Sequence, residues 1–411
     1  MAVIAFLMDI QEGHILPSFG LGSVLRKRGH RVIYISVFDN EELVKEQGFE
    51  FYPVFGTLYP KGFNERYKRM GQNNENANKE HLSHIGQLMN GALDAFFDQF
   101  NPDLFITSVF LKLETLILHY KYKISPVIFI PYLIGQGEDL IGDCMEQIMH
   151  FPGDKLHLII ECLKGLGVRL TSLIQLVQPL NTFPALVACP EELDIFQPDR
   201  SRNIQYLSPL IRSGHKTGDS RFLSHIPAGK KIIYASFGSQ LPVYGEMVRA
   251  FFRKLINIMN DNEMQDFHLI LSTGTGTGEH GPAPENLTVL QWAPQIDILK
   301  VADIAIIHGG LGTIKECIYF GVPMLVLPLT RDQPLNARRV EMKGLGFTDK
   351  IDSMTEDSLK EAILSLGNND YIRENIAKMR KIFEFKQDIE YGVDFIESLF
   401  SSELQMRSID I

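Results

Sequence analysis

Eight short runs of consecutive apolar residues, none of them alternating with polar ones, limit what this chain can fold into. They are Val3 to Leu7, Val32 to Ser36, Leu104 to Thr107 and Val127 to Ile130 in the first half, then Ile232 to Ser236, His268 to Ser272, Ile304 to Ile307 and Met324 to Leu327 in the second. A strand apolar on both faces has to be covered on both faces, the condition of a parallel sheet sandwiched by helices. Longer amphipathic stretches lie between the runs and are placed to make right-handed crossovers. In the first of them Leu21, Val24 and Leu25 share one face, and Arg26, Lys27 and Arg28 follow where a helix dipole is negative. At 411 residues the chain exceeds what one core usually fills. The stretch SPLIRSGHKTGDSRFLSHIPAGKK, Ser208 to Lys231, is rich in Gly, Ser and Pro and poor in periodic apolar residues, so it predicts an interdomain connection. The fold class expected is therefore α/β, with two Rossmann-like, doubly wound parallel-sheet domains and a cleft facing the C-terminal ends of both sheets.

Charge and composition exclude several classes of function. A net charge of -10 argues against a nucleic-acid partner, because neutralising phosphates takes concentrated Lys and Arg. Cys144, Cys162, Cys189 and Cys317 form no CxxC pair, which suits reduced thiols in a cytoplasmic protein rather than a metal or disulfide framework. The opening MAVIAFLMDI has no basic residue before its apolar run and reads as a first core strand, not a signal peptide. No apolar run approaches the roughly 20 residues that span a bilayer, so no transmembrane segment is expected.

Chemistry is concentrated where the later runs end. HGGLGTIKE, His308 to Glu316, follows the run Ile304 to Ile307. Glycines that lead from a buried strand into a helix leave backbone N–H groups pointing outward at the positive end of the helix dipole, which makes an anion site. Gly309, Gly310 and Gly312 permit close approach, Thr313 adds a hydroxyl, His308 can donate to a phosphate oxygen, and Glu316 lies one turn inside, where it can accept from a pair of sugar hydroxyls. The same glycines would also serve a bare βα turn with His308 as an ordinary polar residue. Two neighbouring clusters weigh against that reading. QWAPQ, Gln291 to Gln295, holds the chain's only tryptophan, suited to stacking on a base, and PLTRDQPLN, Pro328 to Asn336, offers Asp332 and Gln333 at the next strand end.

The stretch from Trp292 through WAPQIDILK, HGGLGTIKE, GVP and PLTRDQ to Gln333 resembles the donor signature of the nucleotide-sugar-dependent glycosyltransferases that include plant secondary-metabolite, vertebrate glucuronosyl and bacterial macrolide enzymes. GHILPSFGLGSVLRKRGHRV, Gly13 to Val32, is similar to that family's N-terminal signature, and YASFGS, Tyr234 to Ser239, to the loop that opens its second domain. The resemblance implies a GT-B fold: an acceptor-binding domain over 1–212, a linker over 213–230, a donor-binding domain over 231–380 and a terminal helix over 381–411 that returns to the first domain. It implies that Trp292 stacks on the base with Gln295 near it, and that Glu316 takes the ribose. His308, Thr313 and the turn Gly310 to Gly312 would hold the diphosphate, Ser239 would reach it from another side, and Asp332 and Gln333 would hold the sugar. The donor implied is a UDP- or dTDP-sugar, with glucose favoured by Asp332 and Gln333, and the acceptor a hydrophobic small molecule.

Glycosyl transfer needs the leaving diphosphate stabilised and the acceptor hydroxyl deprotonated. The sequence contains no Asp-x-Asp, so the expectation is that the helix N-terminus replaces a metal and no cofactor is needed. His14, just past the first strand, is the expected general base of an inverting reaction. The family orients that histidine with an aspartate in a Pro-Asp-x-x-x-x-Asp run, whereas this chain reads Pro102-Asp103-Leu104-Phe105-Ile106-Thr107-Ser108. Ser108 cannot stabilise an imidazolium as a carboxylate does, and Glu114 is the replacement the sequence offers. Two other readings stay open: a binding scaffold that has lost turnover, for which Ser108 speaks, and a nucleotide-sugar epimerase. The acidic Glu191, Glu192 and Asp194 read as a strand end and turn rather than as paired glycosidase carboxylates.

Overall fold

The computed structural model describes residues 1–63, 83–135, 140–197, 202–211, 220–238, 241–274, 284–388 and 390–399. The chain divides into two compact units. One comprises Met1–Cys189, Phe196–Leu210 and the described residues from Glu390 onward; the other comprises Pro190–Ile195 and residues 211–388. Residues 213–219 of the expected linker lie outside the described residues, and the rest of it holds a short 3-10 helix at Ser220–His225.

The first unit is built on seven strands: β1 (Val3–Leu7), β2 (Arg31–Ser36), β3 (Glu50–Pro53), β4 (Leu104–Ser108), β5 (Val127–Ile130), β6 (Ala185–Val187) and β7 (Ile204–Tyr206). Their order is β3-β2-β1-β4-β5-β6-β7 and every pairing is parallel. Helix α1 (Glu12–Lys27) follows β1, and α2 (Lys112–Tyr122) follows β4 after one 3-10 turn. The predicted face of α1 is the buried one, with Leu21, Val24 and Leu25 packed beside Ile4, Phe6 and Tyr34 of the sheet. Arg28, just past α1, holds three carboxylates, Glu390 at 2.8 Å, Asp394 at 2.6 Å and Glu397 at 2.8 Å, and Glu397 also meets Nε2 of His30 at 2.9 Å. These pairs fasten the helix over 393–399, whose Val393 and Ile396 enter the same core.

The second unit carries β8 (Lys231–Ser236), β9 (Phe267–Ser272), β10 (Leu287–Leu290), β11 (Ile304–Ile307), β12 (Met324–Val326) and β13 (Gly346–Thr348). They run parallel in the order β10-β9-β8-β11-β12-β13. Four helices matter below: α3 (Gln295–Leu299), α4 (Leu311–Phe320), α5 (Gln333–Met342) and α6 (Asp370–Asp388). Both sheets are thus the doubly wound α/β type expected, and all eight predicted runs are strands. Each sheet has one place where strand order reverses, between β1 and β4 in the first and between β8 and β11 in the second. There the crossovers leave to opposite faces, so the C-terminal strand ends border an uncovered crevice.

In β13, Gly346 pairs with Met324, and a Cβ added to it would overlap the Met324 carbonyl oxygen, a backbone atom that cannot step aside. Gly346→Ala is expected to destabilise the second unit by about 3 kcal/mol, the range of an overpacked core. Chemical denaturation of the variant checks this, with the first unit's transition unchanged.

Candidate active site

At the reversal point of the first sheet the chain leaves β1 through Met8, Asp9 and Ile10 and enters α1. His14 therefore sits in the first turn of a helix, and Ser108 is the last residue of the adjacent strand β4. The group that joins them is Asp9. Its Oδ1 is 2.7 Å from Nδ1 of His14 and accepts the Gln11 backbone N–H at 3.0 Å, while its Oδ2 accepts the Ser108 hydroxyl at 2.7 Å. The Asp9 carbonyl is held in turn by Ser36 Oγ at 3.4 Å and Asn40 Nδ2 at 3.3 Å, so the end of β2 fixes the backbone from which the carboxylate projects.

Burial alone would raise the Asp9 carboxyl. The charge of His14 and the hydrogen bonds from His14, Ser108 and Gln11 outweigh it and hold the group below its ordinary value. An ionised carboxylate only accepts, so Nδ1 of His14 carries a hydrogen, and in the uncharged imidazole the lone pair then lies on Nε2. The imidazole is stacked face to face with Phe110, centroids 3.7 Å apart and planes 15° from parallel, and Tyr132 lies beyond at 5.8 Å from Phe110. The result is a histidine locked in ring plane and tautomer, with an aromatic wall beside it.

The pairing of His14 with Glu114 that the sequence suggested is not formed. Glu114 is fully buried on α2 and meets Nδ1 of His84 at 2.7 Å; Nε2 of His84 meets the Tyr59 hydroxyl at 2.7 Å, and Phe55 stacks on the same ring. That chain ties the segment after β3 to α2. Asp9 is not singled out by composition or periodicity. The signal available was its place at a strand end, five residues before His14.

The second unit places its polar residues in the same topological position. After β11 come His308 and Gly309, whose φ of 90° is open to glycine and where an added Cβ would meet Val326 Cγ1 at 3.0 Å and the Gln333 backbone oxygen at 3.2 Å. Gly310 then caps α4 with no side-chain hydrogen bond, so the first amides of a ten-residue helix, including those of Gly312 and Thr313, carry no capping side chain. The His308 ring is held between two glycines: a Cβ on Gly238 (φ 73°) would stand 2.8 Å from its Cε1, and one on Gly310 would stand 2.8 Å from its Nε2. Burial pushes the imidazole down to about 4, offset only in part by a hydrogen bond to the Ser236 backbone. At neutral pH His308 is an uncharged donor.

Gln295, at the start of α3, accepts from the Tyr234 hydroxyl at 3.0 Å and donates to Thr313 Oγ1 at 3.4 Å and to the Glu316 carboxylate. The structure therefore brings Gln295, Thr313 and Glu316 into one group. Trp292, just past β10, is 57% exposed, so its ring face is open for stacking. Arg331, in the left-handed region at φ 57°, turns the chain so that Asp332 becomes the N-cap residue of α5. Gln333 accepts the Leu329 and Thr330 backbone N–H groups at 2.9 and 3.1 Å, which leaves its NH2 to donate. Ser239 lies outside the described residues.

Two expectations follow from this electrostatics. Because His308 has a folded value below its unfolded 6.5, it weakens the fold as pH falls from about 6.5 toward 4. Unfolding free energies across that interval should drop less steeply in His308→Asn than in the parent. Asp9 has the same sign at lower pH: its contribution is complete above the ordinary carboxylate value of 3.8 and is lost as pH falls through its lower folded value. Nitrogen NMR of the imidazoles at neutral pH should show His14 as the Nδ1–H tautomer, and Asp9→Asn should abolish that preference.

Comparison with known proteins agrees with this geometry. The family model described as UDP-glucoronosyl and UDP-glucosyl transferase matches residues 277–390, the part of the chain that holds Trp292 to Gln333. An NDP-glycosyltransferase YjiC of Bacillus licheniformis is 24% identical over 95% of this chain and 96% of its own, and one of Bacillus subtilis is 27% identical over 90% of each. The crystal structure of the glycotransferase of kitacinnamycin superposes with a TM-score of 0.75 at 25% identity, covering 97% of this chain and 98% of that one. With two parallel doubly wound sheets and polar clusters at both reversal points, the chain has the GT-B fold and is a glycosyltransferase of the nucleotide-sugar type, similar over residues 277–390 to the UDP-glucoronosyl and UDP-glucosyl transferases.

Proposed function

We propose that the chain moves a sugar, glucose in the first instance, from a UDP- or dTDP-sugar to a hydroxyl of a lipophilic small molecule, with inversion at the anomeric carbon and without a metal. The observation that carries this reading is the hydrogen bond of the Asp9 carboxylate to Nδ1 of His14, which leaves Nε2 as the base. In the transfer, Nε2 takes the acceptor's hydroxyl proton as its oxygen bonds to the anomeric carbon, and the bond from that carbon to the diphosphate breaks with its electron pair going to the phosphate oxygen. Asp9 stabilises the imidazolium that forms, and Ser108 keeps the carboxylate in place. The leaving diphosphate is met by the uncapped amides of α4, donors already in position before charge develops, with the neutral His308 beside them. Trp292 takes the base, Glu316 the ribose hydroxyls with Gln295 and Thr313 beside it, and Asp332 and Gln333 the sugar.

The aromatic faces of Phe110 and Tyr132 beside His14 favour an acceptor with an apolar body. The likeness to the glycotransferase of kitacinnamycin supports this reading. The case for a turnover-dead scaffold rested on Ser108, and it weakens once the carboxylate is supplied by Asp9. Among the described residues no helix is long and apolar enough to cross a membrane.

The purified protein, given UDP-glucose, a mixed panel of phenolic, macrolide and terpenoid alcohols and an excess of chelator, should yield a hexosylated product by mass spectrometry. His14→Ala and Asp9→Asn should each lower kcat by about 10²–10⁴-fold, the worth of a general base, while UDP affinity measured by calorimetry is unchanged. Product that needs an added divalent ion, or persists undiminished in His14→Ala, would overturn this mechanism.

A further inference from the structure

On the reading that Asp332 holds the donor sugar and the turn at Gly309 its diphosphate, a third residue joins the two. Asn336 lies one helical turn after Asp332 on α5 and is 1% exposed. Its Nδ2 donates to the Asp332 carboxylate, Oδ2, at 2.8 Å and to the carbonyl of Gly309 at 3.0 Å, so both amide hydrogens have an acceptor. Its Oδ1 accepts from Nη1 of Arg339 at 3.1 Å. Arg339, also 1% exposed, gives its Nε to the Asp194 carboxylate at 2.9 Å, and that same oxygen accepts the Ile195 backbone N–H at 2.8 Å. The acidic residues after β6 thus belong to neither a glycosidase pair nor a bare turn. Asp194 is the counter-ion of a guanidinium buried in the donor unit.

We propose that Asn336 is a positioning residue for the donor, with its orientation set by the buried Arg339–Asp194 pair. An amide has two possible orientations, and only one satisfies this site. With Oδ1 turned to the Arg339 guanidinium, the NH2 faces the two acceptors; turned the other way, the NH2 would face a cation and the oxygen would face a carboxylate and a carbonyl. The ion pair therefore selects the orientation, and the amide transmits it. Asn336 binds Oδ2 of Asp332 and leaves Oδ1 toward the sugar hydroxyls, in a fixed relation to the turn that carries the phosphate-facing amides of α4. A side chain that touches no substrate in this way sets the distance between the sugar-binding carboxylate and the diphosphate site. Its effect should fall on the part of the affinity that the sugar adds to the nucleotide.

The experiment measures, by calorimetry on the full chain, the affinities for UDP and UDP-glucose and for dTDP and dTDP-glucose, in the parent, Asn336→Asp and Asn336→Ala. Asn336→Asp is nearly isosteric and sets a second carboxylate against Asp332 and the Gly309 carbonyl; the smaller Asn336→Ala serves where the aspartate fails to fold, and thermal melts accompany both. The expected result is a loss for the nucleotide sugar about tenfold larger than for the matching diphosphate, a coupling of ordinary size. In an Asp332→Ala background Asn336→Ala should cost nucleotide sugar and diphosphate alike, because the residue acts through that carboxylate. Equal losses for sugar and diphosphate in the single variants would reduce Asn336 to a structural role and overturn the proposal while the donor assignment stands. A parent that binds diphosphates but neither nucleotide sugar would overturn both.

Discussion

A parallel sheet cannot grow from one end by right-handed crossovers alone and still be covered on both faces, so its strand order must reverse once. At that place two adjacent strands send their chains to opposite sides, and no helix covers their C-terminal ends. In the first sheet the two strands are β1 and β4, and the residues that leave them are Asp9 and Ser108, with His14 in the helix between. In the second they are β8 and β11, and the residues that leave them run to Gly238 and to His308 and Gly309. The chemistry follows the topology. The strand register fixes which side chains meet, to within a hydrogen bond, before any ligand arrives.

The two units use opposite electrostatics at equivalent places. Around His14 the device is a full charge: a carboxylate kept ionised by its partners, aimed at one nitrogen. Around His308 the device is the absence of charge. Enclosure between two glycines strips the ring of water and leaves it neutral, so the positive potential at this turn comes from the peptide dipoles of α4 and not from a titrating side chain. A base has to accept a proton and a leaving-group site has to keep its donors, and these environments separate the two tasks without any change of residue type.

Eight strands were legible because each is a continuous apolar run. The five that escaped notice are short or half-covered: β3 and β10 are edge strands without a fully buried residue, and β6, β7 and β13 have three residues each. His14 and the donor cluster were legible because their glycines, tryptophan and proline are unusual in so small a space. Asp9 was not. An acidic residue in MDIQEGH has no periodicity to mark it, and its importance appears only when β4 is laid beside β1. Asn336 and Arg339 were hidden for a related reason: QPLNARRVEM has the composition of a surface helix, yet these two residues are buried because Gly309 and Asp194, brought from further back in the chain, partner them.

Neither unit is continuous in the chain. The donor unit takes in Pro190–Ile195 from before the main body of its sequence, and the first unit is closed by residues beyond Glu390. On the ribosome, α1 and the seven-stranded sheet emerge early, but the acids that Arg28 and His30 hold are made only after the second unit. The N-terminal unit must therefore wait, its first helix lacking three acidic contacts, while the whole donor unit is synthesised and folds. A nascent chain stalled anywhere in between presents the core surface that Val393 and Ile396 later cover, so the closing ion pairs form only once the second unit has been made.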